Sequence, residues 1–355
     1  MTRLKGSVVA LLLMVLLAGC AGSVPRSAGG DYRELQWPPL PTPPRITWVK
    51  EIQDLRDVGI TKGFWQRAVE FLTGEPDQRL GKPYGIHVDD KERLFIADVG
   101  LAVVHVMDMG QKKYSIIGGG NALRTPIAVT EDDKDNLYIS DAGAGTVYRY
   151  ALSGGKLERF NVSGLDRPTG LAFNANNRFI YVSDTASHQV VVYDLAGNER
   201  YRIGGRGTGA GQFNYPTDLF VDPSGKLYVT DALNSRIQIF SANGHFLKQF
   251  GRAGDTVGNF ARPKGVAVDS DGHVYVCDAL FDAVQIFNDN GRVLLDFGTH
   301  GSAPGKFWMP SGIFIGKGDM IYVADSYNRR VQVFRYLKVD DPRPEGAAQA
   351  TGESK

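Results

Sequence analysis

Only two cysteines occur in 355 residues, Cys20 and Cys277. That excludes a disulfide framework, a CxxC redox pair and a CxxCH haem site. Neither sign of charge is in excess, since 40 Lys and Arg against 39 Asp and Glu leave +1. The chain therefore exerts no global pull on nucleic acid. Its one long apolar run, residues 8–17, is too short to span a bilayer as a helix. No GxSxG elbow is present. Glycine is abundant, with 43 residues and no collagen-like period.

The apolar run follows Arg3 and Lys5, the order of a secretory signal peptide. It ends "LAGC" at 17–20, which resembles a bacterial lipobox. That resemblance implies a leader over 1–19 and an acylated Cys20, the only non-protein group expected; no cofactor or metal is expected. Several acyl chains anchor firmly, because each buried CH₂ contributes about 0.8 kcal/mol. Ala21, rather than Asp, follows the cysteine. By the same resemblance this implies the outer membrane of a Gram-negative envelope, facing the periplasm or the outside. Residues 20–44 are rich in Pro and Gly and read as a tether. Residues 338–355 are polar and read as a disordered tail.

Between them, at 45–337, one pattern recurs. "YPTDLFVDPSGKLYVTDALNSRIQIF" at 215–240 returns at 262–287 and 309–334. Counting degenerate copies, each repeat has a Pro near its start, at 83, 126, 168, 216, 263 and 310. Each has an Asp closing an apolar stretch, at 98, 141, 184, 231, 278 and 325. Spacings of 42–48 residues indicate a solenoid or a propeller. Within the period, a strand, a "DPSG" turn, two more strands and an "ANG" turn into "HFLKQF" make four antiparallel strands and no helix. That is one propeller blade, and six repeats predict an all-β, six-bladed propeller. The last copy lacks its fourth strand. Residues 46–55 alternate like "HFLKQF", and they are expected to lie beside 331–336 and close the ring, removing exposed edges. One insertion, 62–74, has helical spacing of Phe64, Trp65, Ala68, Val69 and Leu72.

The pattern "PxGVAVDxxGxVYVxD…NxRIQxF", with "GxxGxxxGxFxxP" linkers at 204–216, 251–263 and 298–310, resembles the NHL repeat. The resemblance covers about 45–336 and implies the fold, with little about function. In NHL-like amidating lyases, a His after the blade Pro points into the central channel and holds zinc. Here those positions are Tyr84, Ile127, Thr169, Thr217, Lys264 and Ser311, with Asp218 beside Thr217. Tyr84, Thr169, Thr217, Asp218, Lys264 and Ser311 are thus the candidate channel-lining residues, and no zinc cluster is among them. The six repeated Asp read as scaffold, accepting loop N–H groups and pairing with Arg236 or Arg330. "GGRGTGAG" at 204–211 precedes a strand, not a helix, so it is no dinucleotide loop. Cys277 fills a slot taken elsewhere by Ala, Ser or Thr and reads as a small buried residue.

Linkers and the loops between second and third strands should share one face. That face carries Arg124, Arg167, Arg206, Arg236, Arg252, Arg262 and Arg330, while "VDDKE" at 88–92 and "EDDKD" at 131–135 fall on the other. The expected function is a lipid-anchored binding or scaffold module of the bacterial envelope. Its partner would be a protein, a peptide or a surface polymer, and not nucleic acid. The alternative is a metal-dependent lyase or lactonase acting in the channel.

Overall fold

The computed structural model describes residues 35–60, 79–160 and 164–338. The leader, Cys20, the front of the tether, the helix expected over 62–74 and nearly all of the tail lie outside these residues. Among the described residues, no helix is long and apolar enough to cross a membrane.

Six antiparallel sheets follow one another along the chain. Blade one consists of Pro83–Val88, Arg93–Asp98, Val103–Asp108 and Lys113–Gly118. The same meander restarts at Pro126, Pro168, Pro216 and Pro263. First strands of successive blades touch in a cycle, and Pro310–Gly316 of blade six returns to Pro83–Val88. The first strands therefore surround the axis.

Burial follows position in the blade. The second strand Leu227–Asp231 is buried throughout, because both of its faces meet neighbouring sheets. In the fourth strand Phe246–Phe250, only Phe250 is buried. The core is divided into wedges between blades. Between blades four and five, for instance, Tyr228, Ile237, Phe260, Val276 and Phe287 pack together. Cys277 is buried in the neighbouring wedge, as its slot implied.

The Gly-rich linkers obey the same packing. Gly204 has φ +86°, and a Cβ there would lie 2.3 Å from the ring of Phe213. Phe213, Phe260 and Phe307 are fully buried under their linkers. The pairing of a Gly at the linker start with a Phe near its end is thus a volume constraint, because only glycine leaves room for the ring.

Blade six closes as the alternation predicted, except that the closing strand stops at Ile52 and Leu55–Val58 is a 3-10 helix capped by Asp54. Ile46–Ile52 pairs antiparallel with Arg330–Tyr336, from Ile46↔Tyr336 to Ile52↔Val331. One finding corrects the expected tether. Gln36–Trp37 forms a further strand outside Ile46–Ile52. The Trp37 ring sits 5.8 Å from Phe297 and 5.9 Å from Phe334. The folded body therefore includes part of the Pro-rich segment, because burying an indole outweighs the local preference for an open chain.

A chain beginning at Leu35 keeps both N-terminal strands, whereas one beginning at Thr61 leaves Arg330–Tyr336 with an unpaired edge. Each orphaned backbone group costs about 1–3 kcal/mol. We expect the first truncation to melt like the intact protein, and the second to melt far lower or to be insoluble. Equal melting temperatures would mean that the N-terminal strands do not close the ring.

Candidate functional site

The repeated Asp residues are the first test of chemistry against architecture. All six are almost completely buried. Asp98 accepts the N–H groups of Gly81 and Lys82 at 2.6 and 2.8 Å, and Asp141 those of Arg124 and Thr125. Asp184 and Asp278 bind Asp166 and Arg167, and Ala261 and Arg262, in the same way. Each carboxylate thus ties down the linker that leads into its own blade.

Arg236 and Arg330 are corrections to the expected basic face. Both are buried. Arg236 gives one N–H to Asp231 at 2.7 Å and the others to Gln249 and to the carbonyls of Thr208, Gly209 and Gln212. Arg330 binds Asp325, Glu51 and the carbonyls of Ser302, Ala303 and Lys306. Five guanidinium donors are spent in each case, so neither arginine has one left for a partner.

The remaining linker-face arginines of the prediction, Arg124, Arg167, Arg206, Arg252 and Arg262, are exposed. So are Lys306 and Arg329. Beside them stands a group that sequence reasoning missed. Trp308 and Tyr327 are 46% and 48% exposed, with ring centroids 5.5 Å apart. The Lys82 ammonium lies 4.6 Å from the Tyr327 ring centre, and His300 meets Trp308 edge-on. Leu101, Leu233 and Leu280 are exposed in the matching loops of blades one, four and five. For the three leucines and Tyr327 the available signal was position: each stands two or three residues after a scaffold Asp, where nothing in the repeat demands an apolar side chain.

At the axis, five of the six expected channel residues converge. Tyr84, Thr217, Asp218, Lys264 and Ser311 surround a constriction of only about 20 Å³. That is room for about one water. Thr169 turns aside and bridges blades three and four, through Thr185 and the Thr217 carbonyl at 2.8 Å. Beyond the constriction, a cavity of about 760 Å³ opens toward the hairpins that join first and second strands. His87, Phe173, Phe220 and Phe314 are in its wall, and Asp218 stands at its inner end.

Residues 131–251 match the family model of the SMP-30/Gluconolactonase/LRE-like region, and residues 260–293 and 307–334 match the NHL repeat. The chain is an NHL-repeat six-bladed β-propeller. No curated protein matches it in sequence. Among solved structures it is similar to a catalytically inactive virginiamycin B lyase from Staphylococcus aureus with quinupristin, at 13% identity and TM-score 0.56, over 72% of this chain and 95% of that one. It is also similar to an auxiliary nutrient binding protein from Bacteroides thetaiotaomicron, at 15% identity and TM-score 0.60, over 74% and 71%. A gluconolactonase from Xanthomonas campestris is similar at 15% identity and TM-score 0.56, over 72% and 86%. At such identities the likeness shows the fold alone.

The electrostatics of the NHL propeller set its two faces apart. On the hairpin face, Arg93 binds Asp89, Glu131 and Asp135, and Lys91 also binds Asp135. Much of the acidic charge read there is neutralised within the hairpins. At the axis, burial pushes the Asp218 carboxyl up to about 7, although the Val266 and Leu219 N–H groups pull it back. Burial also drives Lys264 down to about 8, helped by Arg262, Arg167 and Lys82. Burial and Asp218 together raise the Tyr84 hydroxyl to about 12. His87 falls to about 4 because burial disfavours its cation, so the imidazole is neutral at pH 7.

A carboxyl raised on folding destabilises the protein as pH rises. Below about pH 4, Asp218 is protonated in both states and costs nothing. Between about 4 and 7 only the unfolded chain ionises, and stability falls by up to about 1.4 kcal/mol per pH unit. Asp218→Asn should therefore raise the melting temperature, relative to the parent protein, at pH 8 more than at pH 4. Thermal melts at the two pH values check this, and an equal effect at both would refute it.

Proposed function

We propose that this NHL propeller is a lipid-anchored binding module of the bacterial envelope, whose linker face holds an acidic protein segment bearing apolar side chains. The observation that carries this reading is the accessible chemistry of that face. Its scaffold carboxylates are buried and occupied, so the exposed charge is mainly basic: Arg124, Arg167, Arg206, Arg252, Arg262, Lys306 and Arg329, against Asp166 and Asp255. Trp308, Tyr327 and Leu280 add apolar anchors beside that charge. Aromatic residues and arginine are the types that dominate binding energy at protein interfaces. Basic charge around them steers an acidic partner and fixes its register.

In this reading Cys20 carries the acyl chains and residues after it lead to the first strand of the ring. A chain brought to the envelope in this way meets proteins and polymers rather than nucleic acid. The competing reading is a metal-dependent lyase or lactonase. At the constriction it would have Asp218 as the one carboxylate among the lining residues. Metal analysis of the purified protein distinguishes the two readings, since stoichiometric zinc or calcium lost together with an activity would favour the enzyme.

The face is tested by cross-linking in cells. Trp308→Ala and the double variant Arg262→Glu with Lys306→Glu should abolish the adduct, whereas Lys317→Ala, at the hairpin face, should leave it intact. The non-covalent complex of the parent protein, isolated in detergent, should dissociate steeply as salt is raised. Adducts indifferent to all linker-face changes would sink the proposal. The anchor is tested separately: Cys20→Ser should release the protein from membranes. An unmodified mature protein starting at another residue would rule the anchor out.

A further inference from the structure

The hairpin-side cavity is distinct from the linker face, and its inner end holds a residue the architecture does not call for. The second residue after the blade Pro is Gly85, Ala128, Gly170, Gly265 and Gly312 in five blades, and Asp218 in blade four. Small residues suit that position, because neighbouring first strands press together there. A Cβ on Gly312 would lie 2.2 Å from the Tyr84 carbonyl oxygen, and one on Gly265 2.5 Å from that of Ser311. An acid in such a slot is a local departure from the rule that forms the ring, and departures of this kind gather at functional positions.

The carboxyl has backbone donors but no cation. Asp218 Oδ2 accepts the Val266 N–H at 3.1 Å, and the Leu219 N–H also reaches the carboxyl. Among the described residues no Lys, Arg or His forms an ion pair with it, whereas Asp231 and Asp325 are each bound by an arginine. Burying an acid without a cation is costly, and a ligand cation would offset that cost. Asp218 lies deep in the protein, yet its side chain borders the cavity and is reached through it. The cavity volume falls within the range of small-molecule sites. The wall mixes aromatic rings with polar side chains, among them Glu131, Asn174 and Asp222. Phe173, Phe220 and Phe314 come from three different blades, and neutral His87 packs 4.8 Å from Phe314. Ring faces of this kind also attract organic cations.

We propose that this cavity binds a small organic ammonium ion with a hydrophobic body. The amine donates to Asp218 and the body lies among His87, Phe173, Phe220 and Phe314. The constriction at Tyr84 and Lys264 closes the path to the linker face, so the ligand enters and leaves from the hairpin side.

The test uses the full chain carrying Cys20→Ser and three probes of one shape: phenylpropylammonium, phenylpropanol and phenylpropionate, titrated calorimetrically at pH 8. The ammonium ion should bind at least about tenfold more tightly than the alcohol, a difference of about 1.4 kcal/mol, and the carboxylate most weakly. Asp218→Asn should erase the preference for the ammonium ion but leave alcohol binding intact. Phe220→Ala should weaken ammonium and alcohol alike, and Trp308→Ala should change neither. Equal binding of the three probes, absence of ammonium binding at millimolar concentration, or a preference that survives Asp218→Asn would each overturn the proposal. Because Trp308→Ala reports on the linker face alone, failure here is separable from failure of the envelope-binding reading.

Discussion

The ring depends on one buried interaction repeated around it: a carboxylate at the end of each second strand, opposite the Pro that begins the first. The register is the same in every blade, from Pro83↔Asp98 to Pro310↔Asp325. Proline has no N–H to give to the ladder at that point. The carboxylate takes the N–H groups of residues just before it, and so fixes where the linker enters the sheet. The nearly constant Pro-to-Asp distance in the sequence is this register, written along the chain.

The more regular repeats elaborate the same contact. In blades four and six the motif Asn-x-Arg-x-Gln places Asn234, Arg236 and Gln238, or Asn328, Arg330 and Gln332, on a single carboxylate. There the Asp binds only one linker N–H, that of Asn214 or Trp308. The next N–H is handed to the preceding blade: Tyr215 to His188, and Met309 to Asp282. Satisfying buried polar groups and joining neighbouring blades are thus the same act. Hydroxyl groups nearer the axis continue it, since Ser326 donates to the Pro83 carbonyl and Thr185 to that of Pro216. First strands that share no ladder are held together by these bonds, which is how a ring of separate sheets remains one body.

This dependence explains what could be read from the sequence and what could not. A buried carboxylate, a linker Gly against a Phe ring and an alternating closing strand each leave a local, periodic trace, so the blade count and the strand at 46–52 were legible. Trp37 was not, because its partners Phe297 and Phe334 lie more than 250 residues away and prolines follow it. Arg236 and Arg330 looked like surface charge because sequence shows a loop's composition but not that its carbonyls converge. The aromatic pair Trp308 and Tyr327, with Lys82, joins the ends of two blades that meet only when the ring closes. The cavity is harder still, since its wall is assembled from the first strands of all six blades, which are far apart in the chain.

Repetition also separates architecture from chemistry in a way that composition cannot. A position filled by the same residue type in every blade is held there by packing or by buried hydrogen bonds, and a ligand need not be invoked for it. That removes the six Asp, however much they resemble a ring of ligands. Positions free of the repeat's demands divide into two kinds. Two or three residues past a scaffold Asp, Leu101, Leu233, Leu280 and Tyr327 are exposed and make no core contact, so they are choices the fold did not force. At the second residue after the blade Pro the reverse holds, because neighbouring backbones leave almost no room and burial penalises charge. Asp218 stands there against both constraints. A residue that the fold tolerates says little about function, but one that the fold resists has to be maintained by something outside it, and for Asp218 the chemistry of its surroundings points to a cation.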